Sequence, residues 1–364
     1  MKLKVISLSI LMGISFHSTA NELRPVSFGE LVETNASLPS VQLYIAEQAE
    51  DKGDYSKAVK HYKRAIETGI EQASHNVANL LKEGHLNGGA QIEAIKITEQ
   101  ISKNDPEMSI FLANLYLHHE SGEYEKNAFQ WLNNAARLKS VKAYYPLAKL
   151  IFEKKGGANL HYSDTNAAQL LKMAAESDKN PVAAYEFANI LREGNLLQPN
   201  DQQARKFYQL AVKNGYEEAS YQLGYMSEMG IGGPVDIEVA IQNYNIALTT
   251  PTRTEALYRL ARIYMYGTSG EAVDFVRGRT LLKRAADEGS SEANYKLGMM
   301  YFTGTEGYAM NVKKGLEHLN RSSELGFRLA TMKLLQIYSA GENGIKPSAS
   351  EVQSLNERLN KPQH

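Results

Sequence analysis

Apolar and polar positions alternate with the period of a helix between Thr254 and Gly289. In the first half, apolar side chains recur at offsets 0, 4, 7 and 8, which share one face of an α-helix; they are Ala256, Leu260, Ile263 and Tyr264. The second half repeats the pattern with Leu281, Leu282 and Ala285, and Gly289 supplies a C-terminal stop signal. This stretch predicts two short amphipathic helices joined by a loop. Neither helix can bury its apolar face without neighbours.

The same unit recurs along the chain. Taking Ala256 as the marker, the equivalent positions are Val41, Ala73, Met108, Ala143, Ala183, Ala219, Ala256, Ala293 and Ala330. Five residues after each marker stand Ala46, Ala78, Ala113, Ala148, Ala188, Gly224, Ala261, Gly298 and Leu335. The predicted second helices carry small residues seven apart, from Ala58 and Ala65 to Gly315 and Ser322. Small side chains let helix axes approach to the short end of the usual 8–10 Å or so, so we predict an all-α array of about nine helical hairpins.

Several copies, Ala183 to Gly215 among them, carry a fuller pattern of small residues and tyrosines. It reads Ala-x-Tyr-x-Leu-Gly-x-x-Tyr, a loop, and then spaced Ala and Tyr positions that close on Gly. The clearest copies are Ala219 to Gly224, with the turn after Gly230, and Ala293 to Tyr301, closing on Gly326. The pattern resembles the Sel1-like repeat, a relative of the tetratricopeptide repeat, over roughly residues 39–361, although the first three copies depart from it. The resemblance implies a right-handed α-solenoid of antiparallel hairpins and, for function, a protein-binding scaffold.

The first twenty residues have the layout of a secretory signal peptide. Lys2 and Lys4 precede an apolar run from Val5 to Phe16, and small residues stand at the −3 and −1 places before the end of the segment at Ala20. We therefore expect cleavage near Ala20, an extended leader over residues 21–38, and a periplasmic or secreted mature chain. The alternative is a buried first helix. No other segment approaches a membrane span, so no stable membrane insertion is expected.

Composition excludes several classes of protein. The chain has 40 basic and 41 acidic residues, and loss of Lys2 and Lys4 would leave a net charge of about −3. Nucleic-acid binding needs a concentrated basic surface, so no nucleic-acid partner is expected. The absence of Cys excludes a lipid-anchored lipoprotein, disulfides and thiolate chemistry.

The first helix of each hairpin indicates where a partner would bind. Offsets 2, 3 and 6 lie opposite the apolar face on a helical wheel. In tetratricopeptide-like stacks, which this chain resembles, the first helices line the concave side, so these offsets should face the groove. The concave-face candidates are Tyr145, Lys149, Tyr185, Asn189, Tyr221, Tyr225, Tyr258, Arg259, Arg262, Tyr295 and Lys296. Five successive copies carry Tyr at offset 2.

Two interpretations of this Tyr column stay open. Each ring either packs against the adjacent repeat or belongs to a ladder of rigid aromatic contacts for a partner; both hold if the ring is packed and the hydroxyl exposed. Arg259, Arg262 and Lys296 would make the later end of the groove basic, which favours an acidic protein segment or an anionic polysaccharide. The alternative for these three residues is a solvated charged face.

The search for catalytic and metal-binding motifs is negative. His118 and His119 are the only paired histidines, but adjacent helical residues point about 100° apart and make poor co-ligands. There is no His-Glu-x-x-His motif, nucleophile elbow or Walker-type loop. We expect no enzyme activity, metal or cofactor. Trp131, the sole Trp, is expected to pack in the core or between repeats.

The sequence therefore favours a non-catalytic periplasmic adaptor that binds another protein through the concave face of a solenoid. The resemblance implies a place within an envelope or polysaccharide-secretion assembly. The alternative function is an anionic-glycan-binding module that uses the Tyr column and the basic end of the groove.

Overall fold

A computed structural model describes residues 37–118, 122–157, 162–267 and 273–360, with only the backbone of Gly122 and Glu123. The predicted signal peptide, nearly all of the leader and His119 lie outside the described residues. Within the described ranges the chain is helical and forms no strand, so the all-α prediction is confirmed. No helix among the described residues is long and apolar enough to cross a bilayer.

Eighteen α-helices make up the described part of the chain. They are α1 (Pro39–Asp51), α2 (Tyr55–Glu67), α3 (Gln72–Lys82), α4 (Gly88–Ile101), α5 (Pro106–Leu117), α6 (Gly122–Arg137), α7 (Tyr144–Phe152), α8 (Asp164–Ser177), α9 (Pro181–Glu193), α10 (Asp201–Lys213), α11 (Ser220–Met229), α12 (Ile237–Ala247), α13 (Arg253–Tyr266), α14 (Phe275–Asp287), α15 (Ser291–Thr303), α16 (Val312–Glu324), α17 (Arg328–Ala340) and α18 (Ala349–Asn360). Short 3₁₀ turns occupy Ser102–Asn104, Val141–Ala143 and Glu217–Ala219.

Within each of the two compact units described below, consecutive helices pack as pairs, and the pairs stack. Within a pair the first helix packs on the second, as α1 does on α2 and α13 on α14. The second helix of a pair then contacts the first helix of the next pair, as α14 does with α15. The chain divides into two compact units, residues 1–167 and residues 168–364. The first contains α1 to α7 and the start of α8, and the second contains the rest.

Side-chain caps fix where many of these helices begin. Before the first turn, an Asp, Asn or Ser side chain accepts a hydrogen bond from a backbone N–H of that turn, which satisfies a donor that the helix leaves unpaired. The capping residues are Asp54, Asp105, Asn180, Asn200, Asp236, Asp274, Ser290 and Asn311. The cap before a second helix sets the point at which the loop ends and the hairpin turns back.

The predicted small-residue columns lie in the core. The nine marker residues are at most 6% exposed, and the alanines five residues later are at most 1% exposed. Gly224 and Gly298 in the same column are buried, whereas Leu335 is half-buried. In the second helices, Ala58, Ala65 and Ser322 are fully buried. The periodicity of the sequence therefore identified the surfaces on which the helices pack.

Glycines mark the closest approach of α15 and α16. A Cβ added to Gly298 would stand 2.9 Å from the backbone nitrogen of Leu319, and one added to Gly315 would stand 2.8 Å from the Cα of Phe302. Both distances are below those of ordinary van der Waals contacts, so neither position has room for a side chain. This crossing explains why Gly replaces Ala in both columns of this pair.

Candidate binding face of the first helices

Four of the five tyrosines of the predicted column lie on first helices of the second unit, namely α9, α11, α13 and α15. Tyr185, Tyr221, Tyr258 and Tyr295 are all half-buried. Burial raises the pKa of the Tyr221 and Tyr258 hydroxyls. Three of the rings pack on an aromatic ring of a neighbouring segment: the centroids are 5.1 Å apart for Tyr185 and Tyr216, 5.8 Å for Tyr221 and Tyr244, and 5.2 Å for Tyr295 and Phe327. Tyr258 packs against the core formed by α13, α14 and α15. The rings are thus held in place and still reach the surface.

Arg259 ties α13 to the preceding first helix, α11. Its guanidinium carbon lies 4.6 Å from the ring centroid of Tyr225, and its Nη1 lies 3.6 Å from Oε1 of Glu228. Its charge also acts on the Tyr221 hydroxyl, whose pKa it lowers against the larger effect of burial. The other carboxylate oxygen of Glu228 accepts a 2.5 Å hydrogen bond from the hydroxyl of Tyr244. Arg259 therefore contacts α11 through Tyr225 and Glu228.

Lys296 makes the same kind of contact one pair later. Its Nζ lies 2.7 Å from Oε1 of Glu306 and 5.0 Å from the ring centroid of Tyr266 on α13. Burial is the largest single effect and lowers the pKa of this ammonium, but the contributions of Glu306 and Tyr266 together outweigh it and raise the pKa overall. Lys296 is therefore a charged, paired link between α13 and α15.

A third cation at the same offset was missed in the sequence. Lys333 follows Lys296 by 37 residues, as Lys296 follows Arg259. Its Nζ lies 2.8 Å from Oε2 of Glu342 and 5.8 Å from the ring centroid of Phe302 on α15. The repeat period alone would have found Lys333. The aromatic and acidic partners of the three cations do not follow from the period, because they come from different places in the repeat.

The predicted basic end of the groove needs correction. Arg259 and Lys296 are paired with carboxylates and are 20% and 31% exposed, so they do not form a free positive surface. A helical wheel describes one helix alone, so it could not show that offset 3 contacts the preceding first helix. Arg262, at offset 6, is exposed. None of the acidic side chains in the described ranges lies within ion-pair distance of it.

Two of the remaining predicted residues, Asn189 and Lys149, also contact side chains of the protein. Asn189 on α9 accepts a 2.5 Å hydrogen bond from the hydroxyl of Tyr208 on α10. In the first unit, Tyr145 on α7 is half-buried, and Lys149 is exposed with its Nζ 3.8 Å from Glu153. The part of the chain that the structure describes has no group of three or more His, Cys, Asp or Glu side chains placed to hold a metal ion.

Comparison with known proteins identifies the repeat. A family model for the Sel1 repeat matches residues 48–69, 109–140, 181–216, 217–248, 254–290 and 291–327, which confirms the resemblance drawn from the sequence pattern. No curated protein sequence matches the chain significantly.

Two crystal structures share the architecture. A protective antigen present in uropathogenic Escherichia coli strains, which displays an SLR fold, is 19% identical with a TM-score of 0.60; the match covers 90% of this chain and 70% of that one. A Sel1 repeat protein from Oxalobacter formigenes is 19% identical with a TM-score of 0.54, and 93% and 94% of the two chains are covered. These likenesses establish the solenoid fold.

Proposed function

Because this chain belongs to the Sel1 repeat family, whose members typically mediate protein–protein interactions as scaffolds, we propose that it is a scaffold that binds another protein. The proposed site is the Tyr face, which we define as Tyr185, Tyr221, Tyr258, Tyr295, Tyr225 and Arg262 on α9, α11, α13 and α15. The row of half-exposed tyrosine rings carries the proposal. Most of these rings are fixed by an aromatic neighbour on an adjacent segment.

The Tyr face has the properties that favour protein binding. Tyrosine offers a large contact area with few rotatable bonds, and rings that are already packed lose little further freedom when a partner binds. The contacts of Arg259 and Lys296 hold α11, α13 and α15 in fixed register. The spacing between successive tyrosines is therefore set before a partner arrives.

Arg262 indicates the chemistry of the partner. It is exposed, unlike Arg259, and it lies near the Tyr258 hydroxyl, whose pKa it lowers against the larger effect of burial. An exposed cation beside an aromatic ring favours an acidic side chain in the partner segment. An anionic polysaccharide is less well supported on this face, because two of the three cations that were expected to attract it are neutralised.

The proposal extends to the cellular setting. We place the scaffold in the periplasm or outside the cell, on the ground of the signal-peptide pattern, within an envelope or polysaccharide-secretion assembly. A non-catalytic role agrees with the general character of Sel1 repeat proteins. Cell fractionation of the full-length chain, with and without residues 1–20, tests the location.

Site-specific photo-crosslinking tests the binding face. A photoreactive amino acid in place of Arg262 should give a discrete protein adduct in envelope extracts. Lys283 is the matched control, because it is exposed on the second helix of the same pair; the same substitution there should give no such adduct. Equal adducts from both positions would contradict the proposed face, and an adduct displaced by an acidic polysaccharide would favour the glycan-binding alternative.

A further inference from the structure

A cleft in the first unit is lined by none of the residues of the Tyr face. It opens between the second helices α4 and α6 of two successive pairs and has a volume of about 610 Å³. This volume falls within the roughly 300–1,000 Å³ that is typical of small-molecule sites. The lining residues are Lys96, Glu99, Gln100, Lys103, Gln130, Trp131 and Asn134.

Trp131 is the only large apolar side chain in the lining, and it is held in orientation. Its Nε1 donates to Oε1 of Glu99 over 3.4 Å, and the same oxygen accepts a 2.7 Å hydrogen bond from the hydroxyl of Tyr116. One oxygen of the Glu99 carboxylate therefore accepts hydrogen bonds from two groups of the protein. The bond to Glu99 links Trp131 on α6 to α4 of the preceding pair, which agrees with the predicted packing between repeats. Trp131 is only half-buried, and its exposed part forms one wall of the cleft.

Two lysines give the cleft a positive edge. Lys96 and Lys103 are exposed, and no carboxylate of the described residues lies within ion-pair distance of either. They are seven residues apart on one side of α4 and its 3₁₀ extension, which corresponds to roughly 10 Å along the axis. A single small anion cannot bridge that distance, but a ligand with two acidic groups can.

The neighbouring groove shows that these features are not general to the repeat. One pair earlier, between α2 and α4, the lining residues are Ser56, Val59, Lys60, Lys63, Gly89, Ala90 and Glu93. That groove contains no aromatic ring, and Lys63 is neutralised by Glu93 at 2.6 Å. The combination of an indole with two unpaired ammonium groups thus belongs to the α4–α6 cleft.

We propose that the α4–α6 cleft binds an acidic oligosaccharide. The flat face of one sugar ring would lie against Trp131, carboxylates would pair with Lys96 and Lys103, and hydroxyls would bond the side-chain amides of Gln100 and Gln130. Amides both donate and accept hydrogen bonds, as sugar hydroxyls do. An acidic peptide fits less well, because Trp131 is the only large apolar side chain in the lining that could receive an anchoring side chain. The site is independent of the protein-binding role proposed for the Tyr face.

Tryptophan fluorescence tests this proposal, because Trp131 is the only Trp in the chain and reports on the cleft directly. Oligogalacturonate added to the full chain should change the emission in a saturable, salt-sensitive way, whereas maltotriose should not. Losing two charge-assisted contacts in the Lys96→Ala/Lys103→Ala variant should weaken binding at least about tenfold. Lys60→Ala, in the neighbouring groove, is the matched control and should leave the affinity unchanged.

Three results would overturn the proposal. The first is the absence of saturable binding of oligogalacturonate both by fluorescence and by calorimetry. Calorimetry is included because it detects binding that leaves the Trp131 emission unchanged. The second is an affinity that the Lys96→Ala/Lys103→Ala variant leaves unchanged. The third is tighter binding of a hexaglutamate peptide than of oligogalacturonate, which would make the cleft a site for acidic peptides. A thermal melt of each variant identifies any loss of folding.

Discussion

Buried tyrosine hydroxyls form a hydrogen bond that recurs along the chain. The hydroxyls of Tyr62, Tyr116, Tyr208 and Tyr244 donate to Glu50, Glu99, Asn189 and Glu228, each on another helix. Burial raises the pKa of all four hydroxyls, to about 12 for Tyr208. Each ring fills the core while its hydroxyl satisfies an acceptor at the edge of that core.

The substitution Tyr244→Phe tests the value of such a contact. It leaves the ring in place but removes the donor to Glu228, whose side chain is only 10% exposed. Because hydrogen bonds to charged groups contribute more than neutral ones, we expect the free energy of unfolding to fall by about 1.5–3 kcal/mol. Urea unfolding measures the change.

Tyr266→Phe is the matched control for this prediction. The Tyr266 hydroxyl donates to Glu306 at 2.8 Å, but the residue is 46% exposed. Water can replace a lost exposed hydrogen bond, so the change should stay below about 0.5 kcal/mol. Equal losses in the two variants would show that burial does not determine the strength of the contact.

His318 makes stability depend on pH. Burial lowers the pKa of its imidazole, Lys314 adds to that effect, and Asp287 and Glu317 oppose it. The unfolded chain therefore takes up a proton near pH 6.5 that the folded chain resists, so stability is present above that pH and falls as the pH drops below it.

We expect His318→Gln to reduce the loss of unfolding free energy between pH 7 and pH 5. Glutamine keeps a polar group near Asn294, whose Oδ1 lies 3.0 Å from Nδ1 of His318. His75→Gln, at an exposed position on α3, is the control and should leave the pH dependence unchanged. Urea titrations across this range measure both variants, and identical slopes for His318→Gln and the unsubstituted chain would refute the prediction.

At the scale of the helix, the sequence predicted the features that depend on neighbouring residues, such as which face of a helix is buried. The apolar face of α13 was found because Ala256, Leu260 and Ile263 repeat with the period of a helix, and all three are at most 1% exposed. The pairing of Arg259 with Glu228 was not found, because the two residues lie 31 positions apart and meet only when α11 and α13 are packed. Periodicity identifies the surfaces of an element, but not which side chains of the next element they meet.

The α15–α16 crossing gives a prediction at the scale of the element. Replacing Gly by Ala inside an exposed helix usually stabilises it, but Gly315→Ala would force a methyl group to within 2.8 Å of the Phe302 backbone. We expect a loss of about 1–3 kcal/mol as the helices move apart.

Gly89→Ala on α4 is the control for this crossing. A Cβ at Gly89 would have no atom within 4 Å, so this substitution should be neutral or stabilising by up to about 1 kcal/mol. Both variants are measured by the urea midpoint of unfolding. A stabilised Gly315→Ala variant would contradict the close approach.

For the molecule as a whole, α18 closes the end of the second unit. Leu355 is its only buried residue and packs with Leu334 and Ile337 on α17, while most of its other side chains are exposed. An exposed polar face of this kind is expected for a capping element of a repeat protein.

We expect Leu355→Asp to detach this cap and convert a monodisperse protein into aggregates. A buried charge without a partner is costly, and the apolar face of α17 would become exposed. Asn356→Asp, at the exposed neighbouring position, should leave the particle size unchanged. Size-exclusion chromatography with light scattering distinguishes the two, and an unchanged Leu355→Asp profile would show that α18 is dispensable as a cap.

The three cations at offset 3 differ in where their carboxylate originates. Lys296 and Lys333 each take it from the loop of their own hairpin, at Glu306 and Glu342, whereas Arg259 takes it from Glu228 in the hairpin before. Each of these two lysine hairpins therefore contains both partners of its ion pair, and a duplicated copy of the hairpin would contain both as well. The Arg259 hairpin does not, so a copy of it placed after a different hairpin would leave the guanidinium without its carboxylate.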